Sequence, residues 1–318
     1  MFNIVEKRRW YYAFSGIVLL ICIGFMVFSA IDTGQPFRLS IDFQGGAIYE
    51  FQFDEPGATE DSIRGVFESF GEDNPIIQQL GDEEDYRWSV RVNFAEDQSS
   101  QEILTALEEL AQLEEENESV EQVSPTIGRE VTRAALLAVL AASVVITGFI
   151  VIAFRKVPNA LRYGLCAIAA MTHDVLVVLG IAALFGFLLG WEVDALFLTA
   201  VLTVVGFSVQ DSIVVFDRIR ENIPKHIGEP YETIVNRSIW ETIHRSLATQ
   251  LNAFFIMIAI LLFGGDSIRQ FIAVLFIGLL SGTYSSIFVA VPLLVSWEKG
   301  QIPFLKGDEN IAAQPAEA

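Results

Sequence analysis

Six long apolar stretches dominate this sequence, and they decide the environment in which the chain can fold. Four stretches contain no charged residue: residues 10–30, 134–154, 246–265 and 270–297. Two more are interrupted only inside the run: residues 163–189 by His173 and Asp174, and residues 195–216 by Asp211. At 1.5 Å per residue, about 20 helical residues cross the roughly 30 Å of hydrocarbon in a bilayer. The sequence therefore predicts a polytopic α-helical membrane protein with six transmembrane helices.

Composition agrees with a membrane protein, because 52% of the residues are hydrophobic and only 19% are charged. The first stretch is longer than the core of about 7–15 residues found in cleavable signal peptides, so we expect it to remain as an anchor. Lys and Arg fall on alternate connections, which predicts that both termini are cytoplasmic. The residues on that side are Lys7, Arg8, Arg9, Arg155, Lys156, Arg162, Arg218, Arg220, Lys225, Arg237, Arg245, Lys299 and Lys306. Arg129 and Arg133, at the outer end of the second stretch, go against the trend.

Four segments follow from this pattern. Residues 1–31 form a cytoplasmic segment and the first helix, and residues 32–128 form an extracytoplasmic domain. Residues 129–298 contain the other five helices, with an amphipathic helix expected in the cytoplasmic interface at 218–245. The tail, residues 299–318, ends in "AAQPAEA" and is expected to be disordered.

The extracytoplasmic domain accounts for the acidity of the chain. Residues 32–128 contain 24 Asp and Glu against 4 Arg, a net charge of −20 that equals the net charge of the whole chain. This acidity argues against nucleic acid as a partner. "SIDFQGGAIYEFQF" predicts a strand or hairpin, and a helix is expected from Thr59 onward. Strands at 75–80 and "YRWSVRVNF", a helix capped by Ser99 and a strand at "ESVEQV" follow. The order βαββαβ predicts an α+β ferredoxin-like domain between helices 1 and 2.

Nothing in the chain predicts covalent chemistry. No nucleophile stands with a base and no ligand cluster has metal spacing, so we expect no enzyme activity, no metal and no cofactor. Cys22 and Cys166 both fall in apolar stretches, where each packs as a small side chain without a disulfide.

Asp211 is the main candidate functional residue. A carboxylate inside a bilayer costs about 2.5–3.5 kcal/mol on insertion scales, and it persists where it is paired, protonated or hydrated. Counting 1.5 Å per residue places Asp211 in the cytoplasmic third of its span and Arg245 at the boundary of the next one. We predict an Asp211–Arg245 pair, which serves either as a proton or ion relay or as a static ion pair.

Asp174 raises the same question near the midplane of the third span. Since adjacent helical residues diverge by about 100°, His173 and Asp174 are not expected to face one partner helix. Asp217 and Arg218, where the fourth span ends, are supporting candidates or interface anchors. In the sixth span Gly278, Gly282 and Ser286 recur every four residues, which predicts close helix packing.

The chain resembles the SecF family of the bacterial SecDF protein-export component, within the resistance-nodulation-division superfamily. The resemblance rests on "IDFQGGAIYEF", "SPTIGREVTRAAL", "THDVLVVLGI", "GFSVQDSIVVFDRIREN", "TIHRSLATQLN" and "GLLSGTYSSIFVA", in this order. The family usually has Asn where this chain has Gln210, and Thr where it has Gln44. Gln250 and Asn252 also make the fifth span more polar than usual.

The resemblance implies a multi-pass protein of the bacterial cytoplasmic membrane that works with SecD, the SecYEG channel and the SecA motor on a translocating preprotein. It implies use of the proton gradient in late-stage export, with Asp211, Arg245 and Asp174 as functional positions. The small-residue stripe of the sixth span is then expected to help join this chain to SecD. Two rival functions remain: a half-size pump of the same superfamily for a lipid or drug, and a non-transporting scaffold of the export channel.

Overall fold

The structure is a computed structural model, and it describes residues 3–72, 75–80, 85–93, 100–114, 118–155, 159–303 and 306–307. Six described helices are long and apolar enough to cross a membrane, which confirms the predicted architecture. Their bounds are Arg8–Thr33, Pro125–Ala153, Ala160–Leu189, Ala195–Lys225, Tyr231–Phe263 and Ile268–Glu298. The chain divides into two units, Leu39–Leu136 and the remainder.

The smaller unit begins with a four-residue helix and contains a four-stranded antiparallel sheet. In chain order its elements are α2 (Ile41–Gln44), β1 (Gly46–Gln52), α3 (Glu60–Ser69), β2 (Ile76–Leu80), β3 (Arg87–Val92), α4 (Ser100–Glu108) and β4 (Ser119–Val123), after α1 (Arg8–Thr33) of the larger unit. The strand order β2-β3-β1-β4 places β3 between β1 and β2. This is the split βαβ arrangement predicted from the sequence.

Apolar residues on one face of each helix form the core of this unit. Ile63 and Phe67 of α3 and Ile103 and Leu107 of α4 are fully buried. Phe67 meets Tyr49 of β1 edge to face, with ring centroids 5.3 Å apart. Thr59 and Ser62 form a capping box at the start of α3. The expected Ser99 cap lies outside the described residues, as do residues 304–305 and 308–318 of the tail.

The Gly45-Gly46 pair is needed where α2 meets the start of the next long helix, α5 (Pro125–Ala153). Gly45 has φ +81°, and a Cβ there would lie 2.7 Å from the backbone of Pro125. A Cβ on Gly128 would lie 2.8 Å from the carbonyl oxygen of Phe43. Residues 41–44 are helical and not part of a strand, because Ser40 caps the turn and Gly45 ends it with a positive φ that glycine adopts without strain.

In the larger unit, three spans form the interior and three lie outside them. The interior spans are α6 (Ala160–Leu189), α7 (Ala195–Asn222) and the sixth span, which comprises α9 (Asp266–Ser285), a π-helical turn (Ser286–Ala290) and α10 (Val291–Glu298). Half of the most apolar window of α6 and of α7 is buried, against 6% for α5. The π turn precedes Pro292, which lacks the N–H that a regular helix needs at that position. Cys22 and Cys166 are buried and free.

The fifth span, α8 (Tyr231–Phe263), is one helix of 33 residues. The prediction of a separate amphipathic helix ending at residue 245 is therefore wrong. The apolar face that suggested it, including Ile234, Val235 and Ile239, is buried in the bundle core instead. At 1.5 Å per residue α8 is about 50 Å long, so it exceeds the hydrocarbon thickness without a break.

Ion pairs join several helices at the end of the bundle that contains the chain's N-terminal segment. Glu232 of α8 contacts Arg8 at 3.1 Å and Lys299 at 2.9 Å. Glu298 of α10, almost fully buried, pairs with Arg162 of α6. The predicted cytoplasmic cations thus connect the first, third, fifth and sixth spans at one end.

Candidate functional site

Asp174 is fully buried and is surrounded by hydroxyl groups from two neighbouring helices. Its Oδ2 accepts hydrogen bonds from Ser208 of α7 and Ser285 of α9, both at 2.6 Å. Its Oδ1 accepts from Ser281 of α9 at 2.7 Å and lies 3.1 Å from Nδ1 of His173. We call these five residues the Asp174 cluster. Both carboxylate oxygens are satisfied, which is what a carboxylate removed from water requires.

Glycines bring the helices of the Asp174 cluster together. Ser281 and Ser285 are four residues apart and lie on one face of α9, with Gly282 between them. A Cβ on Gly282 would lie 3.2 Å from the Cα of Ser208, and one on Gly278 would lie 2.2 Å from Val204 of α7. The close approach of α9 to α7 therefore depends on the absence of side chains at both glycines.

The small-residue stripe of the sixth span packs within this chain. Gly278 and Gly282 face α7, and Ser286 is fully buried in the π turn. The expectation that this stripe joins the chain to SecD is therefore wrong. The sequence shows that a helix approaches closely at such a stripe, but it does not show which helix.

His173 and Asp174 both contact α9, contrary to the expectation that they would face different helices. The His173 ring lies 6.3 Å from the ring of Tyr284, while Asp174 accepts from the serines on either side of that tyrosine. The two side chains do diverge, but side chains from neighbouring positions of α9 reach both: Tyr284 lies beside His173, and Ser281 and Ser285 donate to Asp174. The imidazole and the carboxylate also meet each other.

Asp211 is buried one turn along α7 from Ser208, but its partner is not Arg245. Its Oδ2 accepts a hydrogen bond from the side-chain amide of Gln250 of α8 at 2.7 Å. The predicted Asp211–Arg245 pair is not formed in the described chain, because Arg245 lies on an exposed face of α8. Five residues separate Arg245 from Gln250, which corresponds to about 500° of helical rotation, or about 140° around the axis. The number of residues fixes the depth of Arg245 in its helix but not the direction in which its side chain points.

The remaining candidates lie at the surface of the bundle or in ion pairs. Gln210 is exposed beside Asp211. Asp217 pairs with Arg220 one turn later at 2.5 Å. Arg218 pairs with Glu221 at 2.9 Å and with Glu241 of α8 at 2.6 Å, which ties α7 to α8. These contacts describe anchoring between helices and do not connect to either buried acid.

Sequence reasoning missed four of the side chains that contact the two acids: Ser208, Ser281, Ser285 and Gln250. A signal was present, since each serine stands in an otherwise apolar span and Ser208 precedes Asp211 by three residues. Gln250 was recognised as unusually polar but not as a partner. Within the described residues no group of three or more His, Cys, Asp or Glu side chains is placed to hold a metal ion.

Fold and site together define a multi-pass membrane component of a transport system. Residues 102–300 match the family described as "Protein export membrane protein SecD/SecF, C-terminal", and residues 33–56 match "SecD/SecF GG Motif". The chain belongs to the SecF family of protein translocase subunits in the bacterial membrane.

Individual relatives agree over nearly the whole chain. The protein translocase subunit SecF of Thermobaculum terrenum is 42% identical, with 92% of this chain and 94% of that protein covered. The SecF subunit of Anaerolinea thermophila is 41% identical, with 95% and 96% covered. The crystal structure of SecDF, a translocon-associated membrane protein from Thermus thermophilus, is 33% identical with a TM-score of 0.75 over 93% of this chain. This chain corresponds to 38% of that longer polypeptide.

Proposed function

We propose that this chain is the SecF half of a SecD–SecF complex that uses the proton gradient in late-stage export of polypeptides. The observation that carries the proposal is the environment of Asp211, whose carboxylate accepts a hydrogen bond from the neutral amide of Gln250 in the described chain. An arginine in contact would hold Asp211 permanently as a carboxylate. An amide can donate to the ionised form and accept from the protonated form, so Asp211 is able to change state during a cycle.

The energy available to such a cycle is sufficient to shift a conformational equilibrium. One charge that crosses the whole membrane potential contributes about 2.3 kcal/mol per 100 mV. About 1.4 kcal/mol changes an equilibrium constant tenfold, so one proton at about 150 mV shifts two conformations by more than 10²-fold. A proton that crosses the whole membrane by way of Asp211 therefore carries enough free energy to drive a conformational step.

Arg245 supports the assignment of SecD as partner. The side chain is exposed and shares a surface pocket with Asp217, Glu221 and Glu241 of this chain. We propose that SecD packs against this charged surface. SecYEG, SecA and the preprotein are further proposed partners, with both termini cytoplasmic and the residue 39–136 unit on the outer side, where it contacts the emerging polypeptide.

The test is Asp211→Asn in the SecD–SecF complex, assayed in membrane vesicles for gradient-dependent completion of preprotein export. We expect export to lose its response to the proton gradient, because Asn offers no titratable proton while it keeps the size of Asp. Glu221→Gln is the matched control: it removes an acid from the same helix, but one that is exposed and paired with Arg218.

The scaffold alternative predicts the opposite pattern. If Asp211→Asn exports normally and keeps its response to the gradient, while deletion of residues 32–128 abolishes export, then the chain acts by holding the channel together and the coupling proposal is wrong.

A further inference from the structure

We propose that His173 passes protons between a groove on the outside of the helix bundle and the buried Asp174. This inference rests on the proposed proton coupling and adds to it a point of entry and a residue that acts there. It concerns Asp174 because that carboxylate, fully buried, has no direct contact with the groove except through its own cluster.

The two ring nitrogens of His173 have different surroundings. Nδ1 lies 3.1 Å from Oδ1 of Asp174. Nε2 is buried and has no hydrogen-bond partner among the described residues. A histidine that serves only to support structure normally has both nitrogens satisfied, since an unpaired buried polar atom costs about 1–3 kcal/mol. The open nitrogen therefore marks a place where a transient partner is expected.

That nitrogen belongs to a residue that lines a groove of about 360 Å³ between α1, α6 and α9. We call it the His173 groove; Phe14, Val18, His173, Val177, Leu280 and Tyr284 are among its lining residues. Phe14 and Leu280 are more than half exposed, so the groove opens at the surface of the bundle. A groove of this volume has room for several water molecules; six of its nine lining residues are apolar, and His173, Ser281 and Tyr284 are the polar side chains in its wall.

The proton transfer is balanced within the imidazole. With Asp174 ionised, Nδ1–H donates to Oδ1 and Nε2 is bare and able to accept. A proton from water in the groove binds Nε2, and the Nδ1 proton moves to Oδ1 of Asp174. The result is a neutral ring with Nε2–H, whose bare Nδ1 accepts from the protonated acid. The same 3.1 Å contact serves both states, and the reverse sequence releases the proton.

Among the described groups that face His173 from the helices around it, Asp174 is the charged one. From α9 the ring faces Tyr284, whose hydroxyl is engaged with Ser15 and with the carbonyl oxygen of Tyr11. From α1 the groove presents Phe14 and Val18, and from α6 Val177 and Ile181. No described cation lines the groove, so a proton that reaches His173 has Asp174 as its acceptor.

The experiment measures proton flux in proteoliposomes that contain the whole SecD–SecF complex and a trapped pH-sensitive dye, under an imposed gradient. His173→Gln should lower the flux by about 10²-fold, the low end of what a positioned proton-transfer group contributes. His173→Ala should be partly restored by added imidazole, which fits the space that the side chain leaves, whereas Asp174→Asn should not be restored.

A second pair of variants leaves the histidine and the acid intact. Val18→Phe fills the groove and should reduce the flux, while Leu20→Phe adds a ring to a residue of the same helix that is 71% exposed and outside the groove, and should not. The inference is overturned if His173→Gln keeps wild-type flux. It is also overturned if the two α1 variants have equal flux and imidazole has no effect on His173→Ala. If either result is found and Asp211→Asn abolishes flux, proton coupling stands but does not use the groove. Normal flux in Asp211→Asn overturns both proposals.

Discussion

Removal of two hydroxyl groups from the Asp174 cluster should destabilise the protein far more than serine-to-alanine changes usually do. In Ser208→Ala/Ser285→Ala, Oδ2 of Asp174 loses both of its donors. The two bonds are 2.6 Å long, at the short end for hydroxyl donors, as expected when the acceptor is charged. The burial of Asp174 prevents water from replacing them.

The expected magnitude follows from the charge of the acceptor. A hydrogen bond to a charged group contributes about 1.5–3 kcal/mol, so two of them amount to about 3–6 kcal/mol. In an Asp174→Asn background the acceptor is neutral, and each bond is worth only about 0.5–1.5 kcal/mol. The same double substitution should then cost about 1–3 kcal/mol, so the interaction energy between the serines and the acid is about 2–3 kcal/mol.

The assay is the free energy of unfolding of the purified SecD–SecF complex in mixed micelles, for the four corners of this double-mutant cycle. Ser143→Ala, whose hydroxyl donates to a carbonyl of its own helix, is the matched control and should change stability little. An equal cost of the serine substitutions in the wild-type and Asp174→Asn backgrounds would show that the hydroxyls do not serve an ionised carboxylate, and the reasoning about the cluster would be refuted.

Two further changes test other parts of the structure. Gly278→Val should destabilise the protein by about 3 kcal/mol through overpacking against Val204, while Gly206→Val, with open space at its Cβ, should not; thermal unfolding compares the two, and equal effects would contradict the close α7–α9 approach. Arg237 holds the pKa of the partly exposed Glu229 carboxylate below its ordinary 4.5 by hydrogen bonding to it. This contribution to stability is present above pH 4.5 and is lost as the pH falls through the lowered pKa, so Arg237→Leu should reduce the acid sensitivity of unfolding in scans from about pH 3 to 6. An unchanged pH dependence would mean that the pair adds no stability.

The spans and the order of the α+β unit were predictable because they depend on local properties of the sequence. Apolar length identifies a span, and periods of about 2 and 3.6 residues separate strands from helices. Asp174 and Asp211 were recognised for a similar reason, since an ionisable residue inside an apolar run is conspicuous without knowledge of its neighbours.

The partners of these acids were not predictable, because they depend on how each helix is rotated about its axis. A count of residues places Arg245 and Gln250 within about 8 Å of each other along α8, but it does not indicate which one faces α7. Rotation is set by packing between helices, here by Val204 against Gly278 and by Ser208 against Gly282, and no local pattern specifies it.

The π turn at Ser286–Ala290 has a consequence for the sixth span that its amino-acid composition conceals. One extra residue in a helix rotates everything beyond it by about 100°, unless a wider turn absorbs the excess. Before this turn Ser285 faces a carboxylate, and after it Leu294 and Val295 are completely buried among apolar side chains. The wide turn lets the polar contact before it and the apolar contacts after it form on the same span. Deletion of one residue there would rotate α10 relative to α9, so that only one of the two sets of contacts could be kept.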